Sequence, residues 1–223
     1  MKSIPGPTLE RLTRLYTILC RLHEPENTGK RLSSKALAEL FGEAPHSLRK
    51  DLSILKTAGD GGSLETLLSE AGSEQGYDIG KLKEALGLGL GLFTRRSACL
   101  VGLGRLGGAI LRLLTEGKEA YELAAAFDSS VNRLELLQTS VPLYHSREIV
   151  RVVTEKKIQL GIIAVPENTA QDAANRLAAG GISGIINYSQ AVLSSGRTGV
   201  RIRNISLAGE LNALSAYLYV KGE

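Results

Sequence analysis

The string Gly102-Leu103-Gly104-Arg105-Leu106-Gly107 has the form G-x-G-x-x-G. It follows the apolar run Ala98-Cys99-Leu100-Val101 and opens an amphipathic stretch, so strand, tight turn and helix start come in that order. Such a turn lets backbone N–H groups approach an anion closely, at a helix N-terminus that itself favours negative charge. Asp128 ends the next apolar run, Ala124–Phe127, about 20 residues beyond the third glycine. A carboxylate at that distance accepts hydrogen bonds from the ribose hydroxyls of a dinucleotide whose pyrophosphate rests on the glycines. The rival reading is a Gly-rich turn without a ligand, which leaves the coincidence of strand, helix and acid unexplained. Asp128 repels a 2′-phosphate and no arginine directly follows it, Arg133 being the first, so NAD(H) is favoured over NADP(H).

Two more segments fall at the ends of expected strands, where parallel sheets bind ligands. Val165-Pro166 follows Gly161–Ala164, and Asn187-Tyr188 follows Gly184–Ile186. Each either lines the nicotinamide half of the site or is a structural turn. No catalytic set accompanies them. His145 follows a short strand, but spacing assigns it no carboxylate partner, as proton transfer to a substrate would need. Cys20 and Cys99 fit neither a disulfide framework nor a zinc pattern and are expected to be buried apolar residues. His23, His46 and His145 are scattered, so no metal site is expected.

The elements that must position these residues change character near residue 95. Beyond it the chain alternates strand and helix: strand 97–101, helix 105–115, strand 122–127, helix 132–138, strand 141–143, helix 146–156, strand 159–164, helix 168–179, strand 182–187 and strand 200–203. That alternation predicts an α/β domain with a parallel sheet. Leu207, Leu211, Leu214 and Leu218 recur at helical spacing over 206–219 and predict an amphipathic C-terminal helix long enough to pack on a partner.

Before residue 95 the signals are helical. Leu9, Leu12, Leu15, Tyr16, Leu19 and Leu22 give one helix, broken by Pro25 to Gly29. A second starts at Ser33 or Ser34 and ends at Gly42, and a third starts at Pro45 with Leu48, Leu52 and Leu55 inward. Three short helices with a tight turn between the last two match a helix-turn-helix core. The third helix turns His46, Ser47, Arg49 and Lys50 mostly outward, and cations there can meet phosphates or guanine edges. The rival reading of that basic pair is a solvated helix face. Residues 57–80 are Gly-rich and acidic and are expected to form a long β-hairpin or loop. A helix from Ile79 to about Leu86 leads into Gly87–Leu92, which reads as a linker.

The 223 residues carry a net charge of +4, with ten Lys/Arg against seven Asp/Glu in residues 1–60, so the excess is densest around the helix-turn-helix. An apolar fraction of 43% excludes disorder for the chain as a whole. No apolar run reaches the length of a membrane span, and the start Met1–Pro7 lacks the core of a secretory signal, so a cytoplasmic setting is expected.

Taken together these residues resemble the Rex redox-sensing transcriptional repressors. The matching strings are Ile4-Pro5, Arg11-Leu12, Ser33–Ala38, Leu48-Arg49-Lys50-Asp51-Leu52-Ser53, Gly76-Tyr77, Gly102–Gly107, Ala126-Phe127-Asp128, Val165-Pro166, Ala178–Ile182, Gly184–Tyr188 and Arg203-Asn204-Ile205. The resemblance implies a winged helix-turn-helix domain over residues 1–80, a Rossmann-like domain binding NADH or NAD+ over 81–205, and a C-terminal helix over 206–223 exchanged between the subunits of a homodimer. It implies binding to double-stranded operator DNA through Ser34, His46, Ser47, Arg49 and Lys50, release by NADH, competition by NAD+, and a Tyr77 that reaches the nicotinamide region.

The chain departs from the family pattern in three places. The short basic wing is replaced by an acidic stretch running to Gly76-Tyr77. An Arg–Asp pair found in some members falls on Thr17 and Ser206. The family's Asn-Phe-Ala-Pro becomes Asn187-Tyr188-Ser189-Gln190, and a Gln of the recognition helix becomes Ser47. A small NAD-dependent oxidoreductase is the enzymatic alternative; a nucleotide-binding regulator without DNA binding is the other.

Overall fold

The computed structural model describes residues 4–22, 29–59, 62–116, 121–194 and 199–222. Met1–Ser3, His23 and most of the expected break at Pro25–Gly29 lie outside them. The chain divides into two compact units, Met1–Thr94 and Arg95–Glu223.

The first unit contains α1 (Gly6–Leu22), β1 (Arg31–Leu32), α2 (Ser34–Phe41), α3 (Pro45–Ala58), α4 (Ser63–Ala71), β2 (Gly72–Ser73), β3 (Gly76–Asp78) and α5 (Ile79–Gly89). The turn between α2 and α3 follows from its residues. Ser33 caps α2 by accepting from the Ala36 N–H at 3.1 Å. Gly42 ends α2 at φ +71°, a left-handed conformation that suits glycine, and Pro45 begins α3. Leu12, Leu15 and Leu19 of α1 bury with Leu37 and Phe41 of α2 and Leu48, Leu52 and Leu55 of α3.

A buried carboxylate ties α1 to α3. Asp51 is 1% exposed and accepts from Arg11 Nε at 2.6 Å, Arg11 Nη2 at 2.7 Å and Thr8 Oγ1 at 3.0 Å. The hydrogen bond from Arg11 raises that guanidinium's pKa further and keeps it charged. Removing one member of a buried pair typically costs about 3–5 kcal/mol, because the other charge is left unpaired. The Asp51 of the Leu48–Ser53 string therefore orients α3, while its neighbours Arg49 and Lys50 face solvent.

Four expectations for this unit are corrected. The described residues within 57–80 form neither one long hairpin nor a loop. Leu64, Leu67, Leu68 and Ala71 form an apolar stripe against the core, so the acidic stretch folds as α4, and the wing shrinks to β2–β3 turning through Glu74-Gln75. Gly87–Leu92 is not simply a linker, since α5 continues to Gly89. The boundary lies at Thr94 rather than after residue 80, because Leu82, Ala85 and Leu86 are fully buried with α1 and the rest of this core. Cys20 is exposed rather than buried.

The second unit is a six-stranded, all-parallel sheet of β4 (Arg96–Val101), β5 (Tyr121–Asp128), β6 (Leu143–His145), β7 (Leu160–Ile163), β8 (Gly184–Asn187) and β9 (Arg201–Asn204), in the order β6-β5-β4-β7-β8-β9. The crossover helices are α6 (Arg105–Glu116), α7 (Val131–Leu136), α8 (Ile149–Glu155) and α9 (Glu167–Ala179). Strand residues alternate between two cores. Cys99, Val101, Ala125 and Phe127 join α8 and α9, whereas Leu100 and Ala126 join Leu111 of α6. Burial pushes the Cys99 thiol up to about 12, so it remains protonated. The third strand lies at 143–145 rather than 141–143, in register with Ala126–Asp128. The chain ends in α10 (Leu207–Lys221), capped by Ser206 and by Gly222 at φ +75°, with no buried residue.

Candidate functional site

The strand order reverses between β4 and β7, and their C-terminal ends meet there. Gly102 follows β4 at φ +96°, and a Cβ on it would lie 2.5 Å from the Ala164 carbonyl oxygen, so the two loops touch backbone to backbone. Gly107 packs α6 onto its own turn, since a Cβ there would fall 1.8 Å from the Gly102 oxygen. Around Gly104 a Cβ would meet nothing within 4 Å, and the space before the first turn of α6 is open. The three glycines thus have three tasks: turn, open approach and helix packing, with the amides at the head of α6 lacking intrahelical acceptors. Arg105 and Leu106, in the first turn of α6, are exposed.

Asp128 closes one side of this crevice. Its side chain is 3% exposed. Oδ2 accepts the Leu103 N–H at 2.7 Å, and Oδ1 accepts the Ser130 N–H at 2.8 Å. Arg133 Nη1 reaches both oxygens, at 3.0 and 2.9 Å. Burial alone would raise the Asp128 pKa, but the two backbone donors and the guanidinium outweigh it and hold the carboxyl below its ordinary value. Arg133 lies five residues beyond Asp128 in the chain. Ser130 caps α7 and the first helical turn brings the arginine back onto it.

The other expected contacts divide. Val165 is half-buried and Pro166 exposed, both at the end of β7 beside Gly102. Tyr188 is exposed at the end of β8, its N–H donating to the Ile163 carbonyl at 2.9 Å. Asn187 is corrected. It is fully buried, its Nδ2 donates to the Ala191 carbonyl (2.7 Å) and Asn204 Oδ1 (2.9 Å), and its Oδ1 accepts from Ser189 N–H and Oγ. All four side-chain bonds are made internally, so Asn187 holds the 188–193 loop rather than a ligand. Asn204, bonded to both Asn187 and Leu193, is the partner that sequence reasoning left without a role.

In the first unit, α3 presents exposed His46, Arg49 and Lys50, with Ser47 half-buried beside them. Ser34 opens α2 and is half-buried, while its neighbour Ser33 makes the cap. Tyr77 lies on β3 between Leu32 and Gly72 and packs against the first unit's core, its ring 3.4 Å from where a Cβ on Gly72 would lie. Thr17 and Ser206, the positions of the missing ion pair, are satisfied locally: Thr17 Oγ1 donates to the Thr13 carbonyl, and Ser206 Oγ accepts the Gly209 N–H.

A winged-helix unit followed by a parallel domain with a dinucleotide-type glycine crevice defines the class. A family model described as "Putative DNA-binding protein N-terminus" matches residues 3–53, and one described as "CoA binding domain" matches 93–191. The redox-sensing transcriptional repressor Rex of Lactobacillus gasseri is 30% identical over 97% of this chain and 94% of its own length. That of Streptococcus thermophilus is 32% identical over 97% and 93%. RSP, a Rex-family repressor, has been solved with beta-NADH (TM-score 0.78, 26% identity, 100% of this chain and 97% of that one). It has also been solved with beta-NAD+ and operator DNA (TM-score 0.79, 26% identity, 100% and 95%). The chain belongs to the Rex family of redox-sensing transcriptional repressors.

Proposed function

We propose that this chain binds operator DNA as a homodimer, represses transcription, and releases the DNA when NADH occupies the crevice. The observation that carries this reading is the crevice itself: turn, open approach and buried acid in one chain with an exposed recognition helix. The pyrophosphate would rest on Gly102, Gly104 and the N–H groups of Arg105, Leu106 and Gly107. The adenosine ribose would approach Asp128, and the nicotinamide half would run toward Val165, Pro166 and Tyr188. The protein acts by binding and not by turnover. NADH shifts the population only if it binds the DNA-incompetent dimer more tightly than the competent one, with NAD+ competing for the same crevice.

Arg49 and Lys50 are exposed on α3 and are assigned to DNA, with Ser34, His46 and Ser47 beside them. Arg49→Ala and Lys50→Ala should each weaken DNA binding, and a residue that contacts only phosphate should lower the salt slope by about one without altering sequence preference. NADH affinity should not change. Anisotropy titrations at several salt concentrations measure both slopes, and unchanged affinity in the double variant would remove α3 from the interface.

The test of the whole reading is DNA binding at fixed salt, using a duplex selected by the protein from a random library and titrated with NADH and then NAD+. Thr17 and Ser206 supply no ion pair, so coupling rests on packing and neutral hydrogen bonds, each worth about 1 kcal/mol. Saturating NADH should therefore lower DNA affinity by about tenfold, roughly 1.4 kcal/mol. Tyr77, on the wing strand and packed on the core of the DNA-binding unit, is assigned to the coupling. Tyr77→Ala should shrink that factor more than it weakens NADH. Equal DNA affinities with and without NADH in the wild type would sink the sensor reading.

A further inference from the structure

Helix α3 carries a cation that neither the core nor the contacts proposed for its N-terminal half use. Arg49, Ser53 and Lys56 stand at i, i+4 and i+7 and so share one face of the helix. Lys56 lies roughly 10 Å beyond Arg49 along the axis. Fourteen residues span about 21 Å, more than the roughly 12 Å width of the major groove, so a helix that inserts its N-terminal end carries its other end out to the phosphates of the rim. Beside that end runs a groove of about 300 Å³, lined by Leu52, Ser53 and Lys56 of α3 and by Leu68 and Ser69 of α4. The ammonium there has a partner: Lys56 Nζ donates to Glu65 Oε1 of α4 at 2.9 Å, with the two side chains 41% and 50% exposed. Helix α4 carries Glu65 and Glu70 and no Lys or Arg, and Glu70 is engaged by Lys81 at 3.0 Å.

We propose that the groove between α3 and α4 seats a backbone phosphate of the operator, with Lys56 as its cation and Glu65 as a built-in competitor that the phosphate displaces. The inference rests on the DNA-binding reading above and extends its surface from the face of α3 onto α4. The groove continues the exposed face of Arg49 and Lys50, and Ser53 and Ser69 place hydroxyl donors on its two walls. An ion pair this exposed is weak and exchanges readily, and a phosphate offers the ammonium the same kind of charged oxygen. Glu65, left beside a seated phosphate, repels it, so the carboxylate lowers DNA affinity while the ammonium raises it. A pair that only pinned α4 to α3 would behave differently, because breaking it from either end would do the same damage.

The test is anisotropy titration of the library-selected duplex at several salt concentrations, with wild type, Lys56→Gln, Glu65→Gln and the double variant. Lys56→Gln should weaken DNA binding by about tenfold and flatten the salt slope by about one. Glu65→Gln should act in the opposite sense, tightening binding by about threefold or more without flattening the slope. In the double variant the gain from Glu65→Gln should shrink to less than about twofold, because the carboxylate acts through the ammonium. NADH affinity should stay at the wild-type value throughout. The proposal is overturned by weaker or unchanged DNA binding in Glu65→Gln, by unchanged binding in Lys56→Gln, or by an undiminished gain in the double variant. If Lys56→Gln does not fold, the sign of the Glu65→Gln effect decides. Loss of affinity on replacing Arg49 and Lys50, with none on replacing Lys56, overturns this proposal alone; a wild type that binds no duplex overturns the DNA-binding reading as well.

Discussion

Gly104→Val should abolish measurable NADH binding while leaving the protein folded, and Gly107→Ala should lose both binding and fold. The contrast follows from where each new carbon would go. At Gly104 a Cβ meets nothing within 4 Å, so a branched side chain starts in open space and fills the path by which a pyrophosphate would approach. Losing the close backbone contact and adding steric exclusion should weaken NADH by at least about 100-fold, or about 2.7 kcal/mol. At Gly107 a Cβ would sit 1.8 Å from the Gly102 oxygen, and the helix must move off its own turn. Overpacking of that kind costs about 1–3 kcal/mol or more, and here it strikes backbone that cannot repack. Thermal melts and NADH titrations of the two variants separate the outcomes. A stable Gly104→Val that binds NADH like the wild type would show that the open space is not the ligand's path.

The parts of this molecule legible in the sequence were those fixed by local chemistry. Gly102–Gly107, Asp128 and the alternation of apolar runs in the second unit dictate a strand, a turn and a helix at each step, and with them a parallel sheet. The Ser33 cap, Gly42 and Pro45 likewise mark the helix-turn-helix within a residue. What misled was composition read without periodicity. The glycines and acids of 57–80 suggested a loop or hairpin, yet Leu64, Leu67, Leu68 and Ala71 carry a helical stripe that packs on the core of the first unit. Pairings across distance were not legible at all. Nothing in the spacing says that Asn187 uses all four of its hydrogen bonds on Ala191, Ser189 and Asn204, which turns a candidate ligand contact into a loop anchor. Nor does sequence distance show that a capped helical turn returns Arg133 to Asp128.

Leu211→Glu with Leu214→Glu should convert the proposed homodimer into a monomer and leave NADH binding intact. Helix α10 is where the chain most clearly lacks a partner. Leu207 is 77% exposed, Leu211 55%, Leu214 60% and Tyr219 87%, and none of its residues is buried within the chain. A lone helix of fifteen residues is marginal in water, yet both its ends are capped, by Ser206 and by Gly222. Its apolar residues do not keep to one stripe, because Tyr217, Tyr219 and Val220 extend the surface beyond the leucines. A helix apolar on several sides is built to be enclosed rather than laid on a single face, and an exchanged helix enclosed by a second subunit satisfies that condition. Burying one leucine is worth about 1.5–3 kcal/mol, so replacing two with charged side chains should weaken dimerisation by at least about 100-fold. Sedimentation equilibrium reads that change directly. DNA affinity should fall with it, since a two-fold protein engages two half-sites and a monomer only one. The proposed NADH crevice draws Gly102, Gly104, Asp128 and Val165 from one chain, so NADH binding should survive. An unchanged dimer would mean that α10 meets some other surface; loss of NADH binding along with the dimer would mean that the crevice is completed by the second subunit.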